Sequence, residues 1–74
     1  MPHINIKCFP TDISPEEKKV LIDEMTATMV KVFDCPDKVV SIVLEQIEPE
    51  KWQETVVDVE INAKPDKVIK QPIY

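Results

Sequence analysis

The residue in this chain best suited to chemistry is Pro2. Once the initiator Met1 is removed, as is usual before a residue as small as proline, Pro2 carries a free secondary amine. An α-amino group has an unperturbed pKa of about 7.7–8.0, and burial among apolar side chains or a position beside cations disfavours its protonated form. A nitrogen that is neutral near pH 7 is suited to abstracting a proton. With Met1 in place the same nitrogen is an amide and has no basicity. The other reactive types form weaker sets. A Ser-His-Asp relay would have to use His3, the single histidine, with Ser14 or Ser41, and no nucleophile-elbow sequence surrounds either serine. Cys8 and Cys35 have no CxxC and no neighbouring histidine, which leaves them as small buried hydrophobes. The acidic residues are spread as solvated charges, without metal-ligand spacing, and Met25 and Met29 sit at a helical interval that suits a core.

Composition removes whole classes of function. The 74 residues carry nine lysines, no arginine and fourteen acidic residues, for a net charge of −5. Nucleic acid is therefore not an expected partner, since that binding depends on cations that neutralise phosphates. The chain has no glycine, so Walker loops and dinucleotide fingerprints are excluded. No apolar run approaches the roughly 18 residues of a membrane span, and the start lacks the pattern of a secretory signal. A cytoplasmic protein without a membrane partner, metal or coenzyme is expected.

The elements that must position Pro2 follow from periodicity. Ile4, Ile6 and Cys8 alternate with His3, Asn5 and Lys7 as in a strand, which Pro10 ends. Ser14-Pro15-Glu16-Glu17 is a helix start with a capping box and proline at the first helical position. Leu21, Ile22, Met25, Met29, Val32 and Phe33 then form one stripe on a helix of about five turns, and Asp34-Cys35-Pro36 stops it. The β-branched run Val39–Leu44 reads as a buried second strand. Past Pro49, Trp52, Val56 and Val59 step as on a short helix, although Val57, Val59 and Ile61 alternate as in a strand; a short helix is the expectation. The tail from Pro65 reads as one turn and then an extended arm laid against a neighbouring subunit.

The whole is one α+β domain, residues 1–74, built on a βαβ unit with two parallel strands. Such a small core supplies only about 3–5 kcal/mol, and a two-stranded sheet does not stand alone. Completion by a second subunit through two-fold symmetry is expected.

The run Pro2-His3-Ile4-Asn5-Ile6-Lys7, the helix start Ser14-Pro15-Glu16-Glu17-Lys18 and the strand Ser41-Ile42-Val43-Leu44-Glu45 resemble the 4-oxalocrotonate tautomerase family. The ending, Pro49-Glu50-Lys51-Trp52 and Lys70-Gln71-Pro72-Ile73-Tyr74, is similar to the short dimeric bacterial members. The resemblance implies a homodimer, with a hexamer as the alternative, that needs no cofactor. It implies a keto–enol tautomerase acting on small 2-hydroxy-dienoate or phenylenolpyruvate-type enols, with Pro2 as the proton shuttle and Trp52 lining the pocket.

The chain departs from the family's hexameric members in lacking their two arginines; Asp12 or Ile13 lies near the first position and Ser41 at the second. A substrate carboxylate would then meet Lys38 or Lys7 as a point charge, or the Ser41 hydroxyl. Two other readings stand beside the tautomerase: a related Pro-dependent hydratase, dehalogenase or decarboxylase, and a non-catalytic oligomeric protein of the same fold.

Overall fold

The computed structural model describes all 74 residues. Strand β1 (His3–Cys8) leads into helix α1 (Pro15–Phe33), which returns the chain to the start of the sheet, where β2 (Ser41–Gln46) pairs parallel to β1. The register sets His3 opposite Ser41 and Ile6 opposite Leu44. This is the βαβ half-fold expected, with a second helical segment after it.

Local chemistry fixes the ends of α1. Ser14 Oγ accepts from the Glu17 backbone N–H at 3.1 Å, and Glu17 Oε1 accepts from the Ser14 N–H at 2.9 Å, so two otherwise orphaned donors are satisfied reciprocally. At the other end Asp34 takes the left-handed conformation, φ 51° and ψ 55°. In a chain without glycine, aspartate is one of the few types that tolerates this position.

Four expectations are corrected. The second strand begins at Ser41 because Asp37–Val39 form a 3-10 turn, which the β-branched pair Val39-Val40 conceals. That strand is not buried in the single chain: Ile42 and Leu44 are half-buried while Val43 is exposed. Along α1 the inward positions are Leu21, Met25 and Met29 with Thr26 and Val30, whereas Ile22, Val32 and Phe33 are exposed. Cys8 and Cys35 are free thiols and only half-buried.

After a 3-10 turn (Pro49–Lys51) the chain enters a π-helix (Gln53–Asn62). Its i→i+5 bonding makes a turn wider than 3.6 residues. The covered residues therefore recur as Trp52, Val56 and Ile61, and Val59 is turned out to solvent at 49% exposure. Val56 is the single buried residue of the chain. A turn closed by the Lys67 N–H on the Lys64 carbonyl, 2.9 Å, precedes the extended arm, which folds back over the chain's own Trp52.

Candidate active site

β1 presents two environments at its two ends. At the first, Pro2 is half-buried immediately before the strand, and its carbonyl accepts from the Ser41 N–H at 3.3 Å. That bond extends the β1–β2 ladder by one step and anchors the proline at the sheet. Met1 is 97% exposed and projects from this end. Ser41 Oγ shares a hydrogen bond with His3 Nδ1 at 2.7 Å, so the hydroxyl lies in register beside the residue that follows Pro2. Lys38, in the 3-10 turn just before β2, lines a groove under α1 with Asp23, Asp37 and Val40. Val40 is in step with Ile42 and Leu44, which places α1 over that face of the sheet.

Trp52 belongs to the opposite end. Its ring meets Phe9 edge-on, with centroids 5.0 Å apart and planes at 89°. Seven residues of extended chain separate Phe9 from Pro2, roughly 23 Å at about 3.3 Å per residue. One subunit therefore brings Ser41 and Lys38 to the Pro2 end and does not bring Trp52 there.

Around Trp52 lies a groove of about 490 Å³ whose walls include Asn5 and Lys7 of β1, Val56, Glu60 and Ile61 of the π-helix, and Lys70, Pro72 and Tyr74 of the arm. Alternation sends Asn5 and Lys7 to the face opposite α1, and the π-helix covers it. Trp52 Nε1 donates to the Tyr74 hydroxyl at 3.1 Å and so ties the arm to the groove. Glu60 bridges two lysines, accepting from Lys64 Nζ at 2.8 Å and from Lys7 Nζ at 3.0 Å. The hydrogen bond from Lys64, then that from Lys7, with the attraction of both cations, hold its carboxyl down to about 2.

Glu60 and Lys70 carry no signal as isolated residues in sequence. The alternation Lys70, Pro72, Tyr74 against Ile69 and Ile73 is the one pattern that marks a side of the arm. No group of three or more His, Cys, Asp or Glu is placed to hold a metal, and no helix is long and apolar enough to cross a membrane.

Comparison with known proteins places this architecture. A family model described as Tautomerase enzyme matches residues 2–62. Tautomerase PptA of Enterobacter sp. (strain 638) is 40% identical over 74 residues, spanning 100% of this chain and 97% of that protein. Tautomerase PptA of Shigella sonnei (strain Ss046) is 39% identical over the same shares. Among solved structures, TomN, a 4-oxalocrotonate tautomerase homologue in the tomaymycin biosynthetic pathway, superposes with a TM-score of 0.59 at 27% identity, over 69% of this chain and 77% of its own. DmpI from Helicobacter pylori gives a TM-score of 0.56 at 28% identity, over 64% and 78%. A βαβ half-fold with a proline at the head of its first strand, matched by the family model over most of its length, belongs to the tautomerase family of enzymes, and the chain is thereby an isomerase.

Proposed function

We propose that the protein is a cofactor-independent keto–enol tautomerase of 2-hydroxy-dienoate or phenylenolpyruvate-type enols, with Pro2 as its general base after Met1 is removed. The observation that carries this reading is the position of Pro2, half-buried and tied to Ser41 at the end of the sheet. A base so held is preorganised for proton transfer. The neutral amine takes the proton of the substrate's 2-hydroxyl as the C–O bond becomes a carbonyl. It then delivers a proton to C3, where the electron pair of the broken C=C has formed a new C–H bond. No atom is gained or lost. Ser41 offers a hydroxyl beside the reacting end, and Lys38 stands at the same end among carboxylates that offset its charge.

The self-association expected from the sequence also joins the two ends of β1. Both strands of the sheet are edges, with ladder groups unpaired on their outer sides. Two copies of β1 pairing about a two-fold axis run antiparallel. With that axis beside Asn5 or Ile6, near the middle of His3–Cys8, Pro2 of the partner subunit comes opposite Cys8 or Pro10, next to Phe9, which touches Trp52. The homodimer is then the active unit: one subunit gives the base, and the other gives an indole that shields the amine from water and stacks on a conjugated substrate.

The test is ketonisation of phenylenolpyruvate, followed by ultraviolet absorbance, with protein whose intact mass shows Met1 removed. Acceleration well above the buffer rate is expected; a rate equal to buffer would refute the reading for this substrate class.

A further inference from the structure

The chain has no arginine, so the carboxylate of such a substrate must find another counter-ion. Lys7 is already engaged, its ammonium 3.0 Å from Glu60 and its side chain only 19% exposed. Lys64 shares the same carboxylate at 2.8 Å. Lys38 stands in a groove that also contains Asp23 and Asp37, where an anion meets like charge. Of these four lysines Lys70 alone combines two properties: it makes no ion pair, and it lines the groove that holds Trp52.

The arm's alternation makes this placement systematic. Lys70, Pro72 and Tyr74 line the groove while staying open to solvent, Tyr74 at 82% exposure, and Ile69 and Ile73 point fully away from it. After the bend at Ile69–Lys70 the arm runs with a period of two along one side of the groove, and the bond from Trp52 Nε1 to Tyr74 fastens its end. Lys7 and Lys70 line the groove with a single glutamate, Glu60, a local excess of one positive side-chain charge on a protein of net −5. A concave surface of that sign concentrates anions.

We infer that Lys70 is the substrate-binding cation of this enzyme: its ammonium takes the carboxylate of a planar 2-hydroxy acid whose conjugated body lies against Trp52. The inference rests on the proposed Pro2 chemistry for the reaction, and on the groove alone for binding.

Its test separates the two. Fluorescence of Trp52, the single tryptophan, is titrated with 3-phenylpropionate, a carboxylate with no enol to ketonise. In Lys70→Ala the Kd is expected to rise roughly ten- to hundredfold, the range for a lost hydrogen bond to a charged group. Lys70→Arg retains most of the affinity, and Lys67→Ala, which removes the same charge three residues away, leaves it unchanged. In kinetics, Lys70→Ala raises KM for phenylenolpyruvate far more than it lowers kcat, and its deficit disappears with the methyl ester. Unchanged affinity in Lys70→Ala, or a loss confined to Lys38→Ala, would overturn the assignment. Lys70-dependent binding without ketonisation would retain this subsite while refuting the Pro2 chemistry.

Discussion

At the scale of single residues, Glu60 is the most strongly perturbed ionisable group. Two lysines hold its carboxyl at about 2 against an ordinary 4.5. A carboxylate with a depressed pKa favours the folded form above its ordinary value, and that contribution is lost as pH falls through the folded one. The structure is therefore predicted to weaken between about pH 4.5 and pH 2, and Glu60→Gln should flatten that part of the profile. Urea midpoints at fixed protein concentration across this range decide it; parallel curves for the two proteins would show that the bridge contributes nothing. Val56, the one buried side chain, makes a second case. Val56→Ala removes two methyl groups and should cost about 1.5 kcal/mol at about 0.8 kcal/mol per buried carbon, read as a lower urea midpoint. Pro2 could be named in sequence as a candidate base, because an amine needs only a free terminus, and the family resemblance gave that position its weight. The groove position of Lys70 could not be named, since it exists only once the arm folds back on Trp52.

At the scale of elements, signals carried by local geometry were legible and those set by distant contacts were not. The capping box at Ser14 and Glu17 is a short-range device and formed as written in the sequence. Ser14→Ala should cost about 1 kcal/mol, a typical value for a lost N-cap, and lower the thermal midpoint without changing the fold; an unshifted midpoint would mean that the helix end is held by packing alone. Val39 and Val40 mislead because their β-branched run continues the composition of the strand, while Val39 closes the 3-10 turn and Val40 is only its extended cap. Val59 misleads for a different reason. Its spacing from Val56 suits a 3.6-residue turn, and the wider π-helical turn rotates it outward. That Trp52 lies at the far end of β1 from Pro2 is a property of the packed chain, which no local period records.

At the scale of the whole molecule, one residue among 74 is buried, which leaves apolar surface for the proposed dimer to cover. Val43 on β2, Val20, Val32 and Phe33 on α1, and the free edges of both strands all remain to be covered. Sedimentation at micromolar concentration is expected to give at least twice the 8.5 kDa chain mass. A monomer that retains activity would remove the pairing of Pro2 with the partner's Trp52. The central claim is that the amine of Pro2 moves the proton, and it is tested most directly by comparing phenylenolpyruvate ketonisation by the parent protein and by Pro2→Ala, both with Met1 removed and both of the same sedimentation mass. Acceleration by the parent is expected, with a loss of at least about a hundredfold in the variant, the scale of general acid–base catalysis. Equal rates for the two assembled proteins would contradict it.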